Sequence, residues 1–186
     1  MRFRDLILLL NESSGGMNQK RQVHNKRFLL WLCVAFWMGL IFSLSAQPAV
    51  QSIQTSRGWT EELVKVFDRG FPQLSGVQQA DLLLRVDNVV RKGAHAFSYF
   101  VLATLVMTAL QTHSIRENRR ILLTLLLCVL YAISDEVHQS FVPGRGPMVT
   151  DVLIDTIGAS AGVAVFLLAA FLHKKWTHGK MIDGGI

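Results

Sequence analysis

Cysteine is scarce in this chain, and its two cysteines are not arranged for a disulfide framework or a metal site. Cys33 and Cys128 both lie inside apolar runs, and no CxxC pair occurs. A disulfide scaffold and a paired-cysteine zinc site are therefore excluded as organising features. The cysteines carry no information about the redox compartment.

The sequence also lacks the short motifs of several enzyme classes. No HExxH, GxSxG or Walker sequence is present, so spacing alone names no reaction. The chain has 19 Lys and Arg against 13 Asp and Glu, but the basic residues form no stripe interleaved with aromatics, and no nucleic-acid partner is predicted. The basic residues instead flank apolar segments, as topology signals do.

Long runs without charge dominate the 186-residue chain, which is 51% hydrophobic. This composition predicts one membrane domain rather than an ordinary soluble one. A transmembrane helix needs about 20 predominantly apolar residues, and four segments reach or approach that length. We predict an all-α fold, an integral membrane four-helix transmembrane bundle. Its spans are predicted at residues 28–46, 93–110, 121–140 and 152–172, within a domain of residues 28–172 flanked by segments 1–27 and 173–186.

The third span is irregular, because its uncharged part, residues 121–133, is too short to cross a bilayer alone. The helix must therefore continue through the polar residues 134–140 and end before Pro143, which breaks helices. This continuation places Asp135 and Glu136 at the membrane boundary or inside it.

Basic residues near the spans predict the orientation of the chain. With four spans, three basic groups fall on one side, which the positive-inside rule assigns to the cytoplasm. These groups are Lys20, Arg21, Lys26 and Arg27; Arg116, Arg119 and Arg120; and Lys174, Lys175 and Lys180. Both termini are therefore predicted to be cytoplasmic, although Arg91 and Lys92 lie beside the second span on the opposite side.

The segment before Met17 is assigned no structural element. Its apolar run is too short for the core of a signal peptide, and no small-residue cleavage site follows. A purine-rich ribosome-binding site that was translated in frame would encode glycines, and Gly15 and Gly16 stand directly before Met17. We hypothesise that translation begins at Met17 and that residues 1–16 are not translated.

The connection between the first two spans predicts amphipathic helices in the first outer loop. Thr60 is positioned as the N-cap of one helix, whose apolar stripe includes Val64 and Phe67. Ser75 is positioned as a cap of the next, which leads along the membrane surface into the second span. We interpret these helices as a cover for the bundle end rather than as binding elements.

Polar residues cluster where three predicted spans reach the same, outer side. They are Arg91, Lys92, His95 and Tyr99 on the second span, Asp135, Glu136, His138 and Gln139 on the third, and Asp151 and Asp155 on the fourth. Each ionisable group at membrane depth costs about 2.5–3.5 kcal/mol on insertion scales. This cost favours a functional site over the alternative, in which the groups only satisfy one another. Gly158 and Gly162 predict close helix packing.

Two kinds of chemistry fit this cluster. Paired carboxylates beside histidines can serve as general acid and base or can bind a hard divalent cation. Cationic side chains suit phosphate or carboxylate, and they would also lower the cost of charging the carboxylates. The predicted catalytic residues are His95, Asp135, Glu136 and His138. The predicted substrate-binding residues are Arg91, Lys92, Tyr99, Gln139, Arg145, Asp151 and Asp155, with Arg91, Lys92 and Arg145 as anion clamps.

Four motifs in order resemble the VanZ-like family of small bacterial membrane proteins. They are FSLSAQP at the end of the first span, RKGAHAFSYFVLA opening the second, YAISDEVHQSFVPGRGP at the third and DVLIDTIGASAG opening the fourth. The resemblance covers residues 28–172. The founding member of this family is associated with low-level resistance to the glycopeptide teicoplanin. The resemblance implies the envelope side of a bacterial plasma membrane, and it names no reaction.

Two functions fit the residues and the resemblance. The chain is either an enzyme that modifies an anionic envelope lipid or lipid-linked cell-wall precursor, or a non-catalytic binder that hides such a ligand from antibiotic. A small transporter is a third alternative, but four spans with a site near one face offer no evident route across. Membrane lipids are the expected partners, and a divalent cation is a candidate cofactor.

Overall fold

The computed structural model is all-helical. It describes residues 3–48, 58, 60–62, 64–68 and 70–183, and no strand occurs among them. Helix α1 spans Phe3–Ser45, α2 spans Gly76–Gln111, α3 spans Glu117–Gln139 and α4 spans Val149–Asp183, with a 3-10 turn at Phe71–Gln73. Each of the four helices contains a stretch long and apolar enough to cross a membrane. The predicted all-α fold with four membrane-length helices is thereby confirmed.

Consecutive helices run in opposite directions. Near one end of the bundle, the Arg27 guanidinium of α1 donates two hydrogen bonds, of 2.9 and 2.6 Å, to the carbonyl oxygen of Thr112, the C-cap residue of α2. Further along the same pair, Trp37 Nε1 donates to the Ser98 carbonyl at 2.9 Å. The end of α1, the end of α3 and the start of α4 consequently lie together at the other end of the bundle.

Helix α2 contacts all three other helices and packs most extensively against α4. Small residues allow this approach: a Cβ atom built on Gly158 would collide with the backbone of Ala96, and one on Gly162 would collide with the backbone of Phe100. The two glycines thus bring α4 against the backbone of α2, as predicted. The core around this contact contains fully buried side chains of α2, including Leu102, Val106 and Met107.

Two predicted helix ends are confirmed. Ser75 forms a capping box at the start of α2, in which its hydroxyl accepts from the Gln78 N–H and the Gln78 side chain accepts from the Ser75 N–H. Helix α3 passes through Asp135 and Glu136 and ends at Gln139, where the Ser140 N–H bonds to the Glu136 carbonyl at 3.1 Å. The polar residues of α3 therefore belong to a regular helix.

Three local expectations were wrong. Thr60 is not an N-cap, because Gly58 is already helical and Thr60 lies within the helix, 2% exposed. Phe67 does not share a buried stripe with Val64, since their exposed fractions are 85% and 5%. The residues before Met17, to which no element was assigned, are helical from Phe3 onward as part of α1. The amphipathic segment after Ser75 is continuous with the second span in a single helix, α2.

Candidate functional site

Ion pairs join α2 to α4 at the polar end of the bundle. Lys92 Nζ lies 3.3 Å from Asp151 Oδ1, and His95 Nδ1 lies 3.8 Å from Asp155 Oδ1. The second distance is longer than a hydrogen bond. The predicted polar stripes of the second and fourth spans therefore face each other.

Asp135 on α3 is held by neutral donors. Its carboxylate is 2% exposed, and its Oδ2 accepts from Ser45 Oγ at 2.8 Å and from Gln139 Nε2 at 3.3 Å. Its Oδ1 has no hydrogen-bond partner among the described residues. The sequence analysis did not include Ser45 in the site. Its position at the end of the first span, on the side where the other polar residues gather, was the signal that could have identified it.

Glu136 faces the loop after α3. Its Oε2 accepts a hydrogen bond of 2.7 Å from the backbone N–H of Met148, directly before α4, and Glu136 is buried. Glu136 therefore ties the loop of residues 140–148 back to the helix that precedes it.

The sequence analysis predicted that cationic side chains lower the cost of charging these two carboxylates, and the structure corrects this prediction. Within the described ranges, no Lys or Arg nitrogen lies within 4.0 Å of Asp135 or Glu136. Lys92 pairs with Asp151 instead, and Arg91 Nη2 donates to Asn88 Oδ1 on its own helix at 3.0 Å. Asp135 instead accepts hydrogen bonds from the Ser45 hydroxyl and the Gln139 amide. Glu136 accepts one from the backbone N–H of Met148.

Arg145 occupies the loop between α3 and α4. Its backbone N–H bonds to the Val142 carbonyl at 3.1 Å, and Gly144 before it has a φ of 77°, a left-handed conformation that glycine adopts readily. Burial and the nearby Arg91 lower the pKa of the Arg145 guanidinium, which remains charged because arginine is not deprotonated in proteins. Arg145 Nε is buried and has no hydrogen-bond partner in the part of the chain that the structure describes.

A small cavity, which we call the polar cavity, lies beside this guanidinium. It has a volume of about 70 Å³. The lining side chains with polar groups are Arg91, His95, Gln139, Arg145 and Asp151. Five predicted site residues from α2, α3, α4 and the α3–α4 loop are thus brought to one cavity. With two guanidinium groups, an imidazole and an amide, it suits an anionic group.

Two predicted site residues lie deeper than the polar cavity. Tyr99 and Asp155 are both 0% exposed. The Tyr99 hydroxyl and both Asp155 oxygens have no hydrogen-bond partner among the described residues. Asp155 thus lies beside His95, at 3.8 Å, and does not line the polar cavity.

His138 is separated from the polar cavity. Its ring stacks on Phe42 of α1, with centroids 4.2 Å apart and an angle of 28° between the rings. The structure therefore does not bring the two predicted catalytic histidines, His95 and His138, to one cavity. Among the described residues, no group of three or more His, Cys, Asp or Glu side chains is arranged to hold a metal ion.

Four antiparallel membrane-length helices with a polar cluster at one end define a multi-pass membrane protein. A sequence profile of the VanZ/LLP1 family matches residues 29–171, and the chain belongs to this family. The resemblance seen in the four sequence motifs is thereby confirmed. Comparisons with curated proteins and with solved structures gave no match.

Proposed function

We propose that this protein binds the anionic headgroup of a lipid-linked component of the bacterial cell envelope in the polar cavity. The observation that carries the proposal is the Arg145 guanidinium, which lines that cavity and has no carboxylate within 4.0 Å among the described residues. A partly buried cation is costly unless it is paired. A phosphate or carboxylate supplies the missing acceptor in a geometry that matches the planar guanidinium.

The other groups around the cavity support an anionic ligand. Arg91, His95 and Gln139 add donors to its wall. Asp151 is an acid in the same wall, but Lys92 lies 3.3 Å from its carboxylate and offsets its charge. The cationic side chains near the cavity therefore outnumber the unpaired acids that line it.

The basic residues place the polar cavity on the outer face of the plasma membrane in this proposal. Arg27, Arg116 and Arg119 belong to the opposite end of the bundle, which the positive-inside rule assigns to the cytoplasm, together with both termini. A protein that occupies a lipid-linked cell-wall precursor at the outer face would shield it from glycopeptides. Such shielding would produce resistance of the teicoplanin type.

Catalysis is the second candidate function, and the position of His95 favours it. His95 lines the polar cavity, where its imidazole can serve as a general base, and the Asp155 carboxylate lies 3.8 Å behind it, beyond hydrogen-bond distance. Transport is less well supported, because fully buried side chains such as Leu102 and Met107 fill the centre of the bundle.

Turnover separates the two candidates. The purified protein is incubated with labelled lipid-linked cell-wall precursor, and the lipid products are resolved by mass spectrometry. A new product that disappears in His95→Gln identifies an enzyme. Unchanged precursor that copurifies with the protein identifies a binder.

Glycopeptide susceptibility in a sensitive host tests the proposed site itself. Arg145→Lys cannot reproduce a bidentate guanidinium contact, and we expect it to lose most of the protection after normalisation to membrane abundance, because charge-assisted hydrogen bonds contribute about tenfold or more to affinity. Asp135→Asn nearly keeps the shape of the side chain but removes the charge that accepts from Gln139, which lines the polar cavity. We expect this variant to lose protection through the displacement of Gln139.

Lys65→Gln is the matched control. Lys65 is exposed and pairs with Glu61 and Glu62 in the outer loop, at 3.0 and 3.1 Å. Wild-type protection by Arg145→Lys and Asp135→Asn together with loss in Lys65→Gln would place the active surface on the outer loop. Arg69, another basic residue expected to be replaceable there, lies outside the described residues.

A further inference from the structure

The polar cavity shares a wall with a second, larger cavity. This second cavity, which we call the apolar groove, has a volume of about 230 Å³ and runs between α1 and α2. Arg91, His95 and Arg145 line both cavities. The same three cationic or ionisable side chains therefore stand between a small polar space and a larger apolar one.

The apolar groove opens at the surface of the bundle. Ile41 forms its floor and is 3% exposed, whereas Leu44 on α1 and Val90 on α2 are 51% and 41% exposed. Leu44 and Val90 both belong to helices long and apolar enough to cross a membrane. In a bilayer, the groove is accordingly accessible from the lipid, so that a ligand can enter sideways.

The geometry points to a membrane lipid with one hydrocarbon chain and a phosphate headgroup as the occupant of both cavities, an inference that rests on the proposed function. The chain lies in the apolar groove along α1 and α2, and the phosphate lies in the polar cavity at Arg145 and Arg91. This orientation of the lipid follows from charge complementarity, because the guanidinium groups lie where the groove meets the polar cavity.

The size of the groove restricts the ligand further. Its volume is below the roughly 300 Å³ at which pockets for drug-sized ligands begin, so it suits one chain rather than two.

Binding of farnesyl phosphate to the purified full chain in a neutral detergent tests this inference. Native mass spectrometry would compare it with farnesol, which has the chain without the charge, with inorganic phosphate, which has the charge without the chain, and with the two-chain lipid phosphatidylglycerol. We expect farnesyl phosphate to bind at least about tenfold more tightly than each of the other three. Burial of about two methylene groups already has an effect of that size.

Two neighbouring substitutions test the position of the chain. Val90→Trp fills the apolar groove, whereas Val89→Trp adds the same bulk at a residue that is 70% exposed and does not line it. We expect Val90→Trp to weaken farnesyl phosphate binding about tenfold or more while Val89→Trp leaves it within about twofold. Phosphate binding should be equal in both variants.

The failure of this inference can be told apart from the failure of the proposed function. Arg145→Gln should weaken both farnesyl phosphate and phosphate, with Arg119→Gln at the opposite end as its control. If Arg145→Gln weakens both ligands but Val90→Trp behaves like Val89→Trp, or if phosphatidylglycerol binds as well as farnesyl phosphate, the single-chain inference is overturned and the anion site stands. If Arg145→Gln binds both ligands as the wild type does, the proposed function falls, and this inference falls with it.

Discussion

At the scale of single residues, Ser45 is the side chain through which the first helix joins the polar cluster. Its hydroxyl is buried, 1% exposed, and donates to Asp135 at 2.8 Å. Hydrogen bonds to charged groups contribute about 1.5–3 kcal/mol, and a buried acceptor that loses its donor carries the full cost of its desolvation. The Ser45 hydroxyl is thus important both for the stability of the bundle and for the position of Asp135.

Ser45→Ala should lower the free energy of unfolding by about 1–3 kcal/mol. Thermal unfolding of the purified protein in detergent measures this loss. Ser43→Ala is the matched control, because the Ser43 hydroxyl is exposed and bonds to the Gly39 carbonyl of its own helix at 2.8 Å. We expect the control to change stability by less than about 0.5 kcal/mol. Equal effects of the two variants would contradict a stabilising role for the bond between α1 and α3.

The residues of the site could be predicted from the sequence better than their partners could. The order and length of the spans were sufficient to place the polar residues of the second and fourth spans at one end of the bundle, where the structure pairs Lys92 with Asp151 and brings His95 near Asp155. It could not identify Ser45, which lies 90 positions before Asp135, because a long-range contact depends on how whole helices pack. The expectation of cationic partners for Asp135 failed for a related reason. The sequence shows which side chains are charged, but it does not show that the neutral donors Ser45 and Gln139 lie closer to Asp135 than any Lys or Arg among the described residues does.

At the scale of helices, the contact between α2 and α4 depends on the absence of side chains at two positions. A methyl group at Gly158 would overlap the backbone of Ala96, which cannot move without shifting α2. The same pair of helices carries polar residues of the site that face each other: Lys92, His95 and Tyr99 on α2, and Asp151 and Asp155 on α4. A change in their separation would therefore alter the polar cavity as well as the stability of the bundle.

Gly158→Ala should destabilise the protein by about 1–3 kcal/mol, the usual cost of overpacking, even though alanine favours helix formation. Gly39→Ala is the control, because a Cβ at Gly39 meets nothing within 4 Å. The control should be neutral or stabilising by up to about 1 kcal/mol. Thermal unfolding in detergent compares the two variants, and a Gly158→Ala protein as stable as Gly39→Ala would refute the close contact.

Helix boundaries were predictable where the chain carries a strong local signal. Ser75 with Gln78 three positions later defines the start of α2, and Pro143 with Gly144 defines the limit of α3. The assignment of Thr60 as a cap failed because Gly58 before it is already helical, and capping preferences are weaker than tertiary packing. Thr60 is buried instead, so its hydroxyl is not available at a helix end facing solvent.

At the scale of the whole molecule, the two ends of the bundle differ in charge and chemistry. One end carries Arg27, Arg116 and Arg119, with the Arg27 guanidinium bound to the end of α2. The other end carries the polar cavity, in which acidic and basic groups are mixed. This difference, together with the four membrane-length helices found among the described residues, is the basis of the proposed orientation with the polar cavity outside.

Labelling of single cysteines in intact cells tests the orientation. Gly146→Cys should react with an impermeant thiol reagent, because Gly146 is exposed at the polar end and a Cβ there meets nothing within 4 Å. Gly144 is less suitable, since its φ of 77° would strain a side chain. Asn118→Cys at the opposite end should be protected.

The labelling experiment requires a background in which Cys33 is replaced by alanine, because Cys33 is exposed, whereas Cys128 is buried. Reversed labelling of the two positions would move the polar cavity to the cytoplasm. It would then remove the link between this cavity and glycopeptides.

The hydrogen bond between Ser45 and Asp135 also has a consequence for the insertion of the protein into the membrane. The last turns of α3 carry Asp135 and Glu136, and the cost of a carboxylate at membrane depth is lowest after a donor has reached Asp135. That donor belongs to the helix that is synthesised first. Since α1 is synthesised before α3, we expect the Ser45 hydroxyl to be available as a donor when the carboxylates of α3 enter the bilayer.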